Sequence, residues 1–204
     1  MSLFLKKIML VFKMENNHGK LPCKTMILGI TGSVMAANMT FYLNMLKNKF
    51  AENVYVIMTK ASENFLSPYA LELISGHKVF RNLYDNFEGI SVPHIQLTEK
   101  ADIFLIMPAT ANIIGKAAGG ICDDLISTSI IRSKCKVVFV PSMNERMWYN
   151  KAVQSNVKKL KGFNYDIVEP GYGIAISNSK ISYGAVPPFD LLLKHLLEIL
   201  KDPS

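Results

Sequence analysis

The chain has 204 residues, half of them hydrophobic and 19% charged, so it can bury a full core and is expected to form one domain rather than a disordered segment. Its net charge of +7 comes from scattered basic residues, with no aromatic-interleaved basic stripe, which argues against nucleic-acid binding. A mildly basic surface is compatible with a carboxylate-ended substrate.

Cys23, Cys122 and Cys135 form no CxxC pair and have no neighbouring histidines, so neither a disulfide framework nor a zinc site fits. A reducing cytoplasm is the expected compartment. No uninterrupted apolar run reaches the length of a membrane span, and no membrane partner is expected.

In chain order, residues 1–23 read as an N-terminal extension. "MSLFLKKIMLVFKMENNHGK" mixes lysines into its apolar part and lacks a small-residue cleavage site, so it is expected to be a tail or surface helix rather than a secretory signal, with Met14 an alternative start. Residues 24–204 form the expected domain. "KTMILGI" is a short apolar run, followed by "TGS" and a helical stretch from Val34 to Phe50. "NVYVIMT" is a second run, and the interior Pro68 of the next segment predicts a broken or late-starting helix. "DIFLIMP", "KVVFVP" and a weak "YDIVEP" complete five strands. Between them, apolar positions recur three and four apart, as at Leu125, Ile126 and Ile130. Near-continuous apolar strands alternating with helices predict an α/β domain, a Rossmann-like or flavodoxin-like doubly wound parallel sheet. The leucine-rich "PPFDLLLKHLLEILKDPS" is expected to be a terminal helix on the sheet or on a neighbouring subunit.

Ligands of such sheets bind beyond the carboxyl ends of the strands. Three strand-end loops carry unusual chemistry. "GITGSV" offers Gly32 for close backbone approach and the hydroxyls of Thr31 and Ser33, a phosphate cradle; it is neither GxGxxG nor a P-loop, which favours a mononucleotide. An N-capping Ser33 in a plain strand-to-helix turn would look the same. "PATANIIGKAAGGICDD" supplies small residues against which a flat ring could lie, Asn112 for a ring edge, and Asp123 and Asp124, which equally suit a helix cap. In "PSMNERMW", Met143 could meet an aromatic ring and Asn144 could donate to a carboxylate, while Trp148 reads as core or interface. His94, in "ISVPHIQLTEKAD", stands on the approach to the third strand.

Together these pieces resemble the homo-oligomeric flavin-containing cysteine decarboxylases. That family includes the lantibiotic peptidyl-cysteine decarboxylases, of the epidermin and mersacidin type, and the phosphopantothenoylcysteine decarboxylases of coenzyme A synthesis. "PATAN" is similar to the family's PASANT motif, "PSMNERMW" to its PxMNxxMW motif, His94 to its histidine ahead of the third strand, and "GITGSV" to its first phosphate turn.

The resemblance implies an FMN site, with the phosphate on Gly32, Ser33, Val34, Thr59 and Ser62. It places the ring against Thr110, Ala111, Asn112 and Ile113, with Ser142 and Met143. His94 becomes the catalytic base and Asn144 the catalytic carboxylate holder. The site is expected at a trimer interface, and trimers of the family can assemble into dodecamers.

The coenzyme A branch uses a cysteine in the substrate-covering loop beyond PxMN, and this chain has no cysteine after Cys135. Instead Ile174, Ala175, Ile176 and Ser177 resemble the apolar, hydroxyl-bearing substrate clamp of the lantibiotic branch. The expected activity is oxidative decarboxylation of the C-terminal cysteine of a precursor peptide to an enethiol. Alternatives are a phosphopantothenoylcysteine decarboxylase with a displaced acid donor, a flavin prenyltransferase, and a non-catalytic regulatory flavoprotein of the same fold.

Overall fold

The computed structural model describes residues 20–174 and 179–201. Most of the expected N-terminal extension, and the clamp residues Ala175, Ile176 and Ser177, lie outside them. The elements run β1 (Cys23–Ile30), α1 (Met39–Lys49), β2 (Ala51–Met58), α2 (Pro68–Ser75), α3 (Pro93–Lys100) and β3 (Ile103–Ala109). Then follow α4 (Ala111–Gly119), α5 (Leu125–Arg132), β4 (Lys136–Pro141), the single turn α6 (Glu145–Trp148), α7 (Lys151–Gly162) and β5 (Asp166–Ile167). A hairpin, β6 (Gly171–Ile174) and β7 (Ile181–Ala185), precedes α8 (Phe189–Lys201).

Five strands form one parallel sheet in the order β2-β1-β3-β4-β5. This is the doubly wound arrangement expected from the continuous apolar runs, and its strand order reverses between β1 and β3. Every residue of β3 is buried, because helices cover both faces. On one face Met26, Leu28 and Leu105 pack with Leu43 and Leu46 of α1 and Leu192 and Leu196 of α8. On the other, Ile27, Phe104 and Phe139 pack with Ile114 of α4, Ile126 of α5 and Leu160 of α7. Each such side chain taken wholly out of water contributes about 1.5–3 kcal/mol.

Local signals explain the boundaries. Pro68 stands at the start of α2, where a missing N–H costs nothing, and Gly76 ends that helix in the left-handed conformation at φ 77°. Asp124 caps α5 in a reciprocal box with Ser127. At the base of the sheet, the Asp102 carboxylate accepts from the N–H groups of Lys24 and Thr25 at 2.9 and 2.8 Å, pinning β1 beside β3. Trp148 is core within the chain, only 3% exposed.

Two details beyond the sequence reading matter for the site. His94, on the approach to β3 as expected, sits in the first turn of α3, which packs against α5. The segment after β5, read as a loop, instead forms the antiparallel β6–β7 hairpin, a second small sheet. Its alternating exposed Tyr172, Ile174 and Ile181 show why apolar content failed to mark it as strand: these residues face outward, not into a core.

Candidate functional site

The loops that leave β1, β2, β3 and β4 converge at the carboxyl edge of the sheet, and polar bonds tie them into one frame. Gly32 is required there, because a Cβ would stand 2.5 Å from the Ala61 Cβ in the turn after β2. Thr59 N–H donates to the Ile30 carbonyl at 3.0 Å, joining the same two loops. The Thr31 hydroxyl, read from sequence as a ligand donor, is instead spent inside the frame. It donates to the Pro108 carbonyl at 2.6 Å and accepts from Thr110 N–H at 3.1 Å. Ser33 and Ser142 hydroxyls meet at 3.0 Å, and Ser142 N–H donates to the Ala109 carbonyl at 3.0 Å. A buried hydroxyl between two strand ends gave no sequence signal for this bracing role.

Two cavities open on either side of the first loop. The larger, about 670 Å³, takes Gly32, Thr59 and the Thr110, Ala111, Asn112 and Ile113 run into its wall. The smaller, about 440 Å³, is lined by Ser33, Val34, Ser142, Met143, Asn144 and Ile174. The expected site residues therefore gather at one edge of the sheet, with the Gly32–Ser33 turn as the partition. Among the described residues, Ser62 and His94 are the exceptions. Ser62 is wholly buried and its hydroxyl donates to the Thr59 carbonyl at 2.6 Å, so it shapes the turn and lines neither cavity.

The larger cavity also holds groups that sequence reasoning did not assign. Lys116, one helical turn beyond Asn112 on α4, reaches Asp123 and Asp124, both at 2.7 Å. Burial opposes its charge, but the bonds to Asp123 and then Asp124 outweigh it and raise its pKa. The Asp123 carboxyl is correspondingly held below its ordinary value, chiefly by Lys116. Arg81 and the largely exposed Tyr84 also line it, from a loop that no motif marked.

A flavin mononucleotide asks for an apolar slot beside hydroxyl donors and close backbone. Met58, Ile113, Ile126 and Met147 supply the slot, and Thr59 and Thr110 lie next to it. The residues of the larger cavity fit the group, whereas Ser33, Val34, Ser142 and Met143, expected to hold it too, line the smaller cavity across the partition.

Asn144 has its orientation set by the backbone. Its Oδ1 accepts from Met147 N–H at 2.9 Å, which caps α6. An N–H can only be met by the oxygen, so the amide NH₂ is the end left for a ligand. His94 lies elsewhere: it lines neither cavity, and its Nδ1 is buried without a hydrogen-bond partner. Its Nε2 is thus the nitrogen available to act. Within one chain, His94 and Asn144 are not brought together.

The model of the family described as Flavoprotein matches residues 14–201. The chain belongs to the Flavoprotein family. It is 34% identical over 174 residues to a coenzyme A biosynthesis bifunctional protein, CoaBC, of Borreliella burgdorferi, covering 85% of the chain and 44% of that protein. The chain thus spans less than half the length of that relative. To the mersacidin decarboxylase of a Bacillus species it is 31% identical, with 89% of this chain and 95% of that one covered. Among solved structures, the FMN-dependent cysteine decarboxylase SpaF superposes with a TM-score of 0.74 at 29% identity, over 87% of this flavoprotein and 95% of that chain. Among its described residues, no helix is long and apolar enough to cross a membrane.

Proposed function

We propose that the chain is an FMN-dependent peptidyl-cysteine decarboxylase, converting the C-terminal cysteine of a precursor peptide to an enethiol, and that it works as a homo-oligomer. The observation that carries this reading is the Asn144 amide. Its oxygen is committed to Met147 N–H, so a neutral donor stands at a cavity that has no charged side chain among the described residues of its lining.

Gly32, Ser33, Val34 and Thr59, backed by Ser62, would hold the FMN phosphate. Thr110, Ala111, Asn112 and Ile113, with Ser142 and Met143, would hold the ring. When bound, FMN supplies the two-electron acceptor that oxidation of a cysteine CH–SH unit requires. The chain's own groups do the rest. His94 Nε2 takes the thiol proton, a role typically contributing ~10²- to 10⁴-fold. Asn144 donates from Nδ2 to the carboxylate, a bond to a charged group of roughly 1.5–3 kcal/mol. Because Asn144 carries no charge, it holds the carboxylate without favouring the charged reactant over neutral CO₂. Since His94 and Asn144 do not share a cavity in one chain, a second copy completes the site, consistent with the trimers and dodecamers implied by the resemblance.

The clamp supports an enethiol product. Residues 136–204 contain no cysteine to protonate an enethiol carbon, and Ile174, Ala175, Ile176 and Ser177 resemble in sequence the clamp of the lantibiotic branch. The deciding experiment incubates the yellow protein with a peptide ending in cysteine and reads mass. Loss of about 46 mass units, CO₂ plus two hydrogens, is the expected result. The likeness to CoaBC favours a second reading, decarboxylation of phosphopantothenoylcysteine; a saturated thiol formed from that substrate, with peptides untouched, would establish it instead.

A further inference from the structure

The hairpin and the Asn144 turn are bolted together. Met143 N–H donates to the Gly184 carbonyl at 3.1 Å. Gly184 has φ 116°, and a Cβ built on it would overlap the Met143 carbonyl oxygen and come within 3.5 Å of the Asn144 carbonyl carbon. No L side chain fits there, on grounds of both conformation and space. Two further contacts run beside it: the Ser182 hydroxyl donates to Glu145 Oε2 at 3.3 Å, and the Tyr183 and Tyr149 rings stack at 5.8 Å. Strand β7 thus touches the residue before Asn144 and residues within the turn that Asn144 caps.

We propose that Gly184 is a positioning residue for Asn144: close backbone packing through Gly184 makes the hairpin and the carboxylate-holding amide one mechanical unit. A substrate that settles the hairpin thereby sets the Asn144 amide, and disturbing the hairpin at this point turns the amide away. The contrast lies at the hairpin base. A Cβ on Gly171 would meet only Pro187 Cα at 3.9 Å, an ordinary contact, and leaves the Asn144 turn untouched.

The inference rests on the peptide-decarboxylase reading, and a double-mutant cycle tests it. In the FMN-loaded protein, Gly184→Ala should lower kcat/KM at least ~10-fold while the visible flavin spectrum is kept, and Gly171→Ala should change neither. In an Asn144→Ala background, Gly184→Ala should add less than about a twofold further loss, because both changes remove the same interaction. Full additivity would overturn the proposal, since a merely structural role adds in full.

Hydrogen exchange separates this from the functional reading. Gly184→Ala should speed exchange across residues 143–148 as well as 181–185 without any substrate present. A change confined to 181–185 would overturn the coupling. Should Gly184→Ala not fold, Ser182→Ala, which removes the bond to Glu145, is read the same way with the same two outcomes. Wild-type protein inactive on every cysteine-ended peptide would sink the functional reading while leaving the exchange result to decide the coupling.

Discussion

Ser33 and Ser142 join hands at 3.0 Å between the loops that leave β1 and β4, at the partition between the two cavities. Ser33 also caps the 3-10 turn after β1, accepting from Met35 N–H at 3.4 Å. Ser33→Ala removes both bonds without adding bulk. Losing these two internal bonds should cost about 1–2 kcal/mol of stability, read by denaturant unfolding, and losing the hydroxyl proposed to hold the phosphate should lower FMN affinity about tenfold, measured by quenching of flavin fluorescence on titration.

Gly32→Ala should have a harsher, differently shaped effect. The added Cβ would meet the Ala61 Cβ at 2.5 Å, so the turns after β1 and β2 must part. The sheet itself should survive, because β1 and β2 pair along their whole length below the loops. The expected protein is folded by circular dichroism and colourless after purification, and it stays colourless with added FMN.

Asn144 can be split into its two jobs. Asn144→Asp keeps an oxygen to accept from Met147 N–H, and aspartate caps helices as well as asparagine does. It replaces the amide donor with a carboxylate that repels a substrate carboxylate. Thermal stability should be unchanged and turnover should fall about 100-fold or more, whereas Asn144→Ala should also lose about 1 kcal/mol of stability. Equal activity of Asn144→Asp and wild type would remove Asn144 from carboxylate binding.

Asn144 lines the smaller cavity and His94 lines neither, so their proposed cooperation across subunits is testable by mixing. His94→Asn and Asn144→Asp should each be inactive alone and still yellow. Co-expressed, they should recover a measurable fraction of wild-type turnover, because mixed oligomers contain sites with both groups intact. No recovery, in mixed oligomers verified by mass, would place both groups in one subunit's site.

The cysteines should differ in reactivity. Burial first, then the nearby Asp102 carboxylate, pushes the Cys23 thiol up to about 12, and burial also raises Cys135, whereas Cys122 is exposed. An alkylating reagent at neutral pH should label Cys122 alone. A thiol harder to ionise in the folded state contributes stability below its ordinary pKa of 9.0, and this is lost as pH rises towards about 12. Melting temperature should therefore fall less steeply above pH 9.0 in Cys23→Ala than in wild type.

Much of this architecture was readable because its signals are local. The runs at β1, β3 and β4 are apolar at nearly every position, which only strands covered on both faces require. The small residues of "PATAN", and separately Asn144 with the Met147 N–H it caps, are each written within a few consecutive positions, so each motif could be recognised in one dimension. The β6–β7 hairpin carried no such mark although its pairing is local, since Tyr172, Ile174 and Ile181 face outward and leave no buried apolar run to read.

The chain's residues by themselves determined the sheet, the family resemblance and nearly all of the groups gathered at its carboxyl edge. Tertiary structure alone decided what each group is free to do. It consumed the Thr31 hydroxyl in bracing, withdrew Ser62 behind Thr59, turned the Asn144 NH₂ outward and set His94 on another helix. The reason is that a side chain's chemistry is local, whereas its availability depends on partners that reach it only when distant segments pack together.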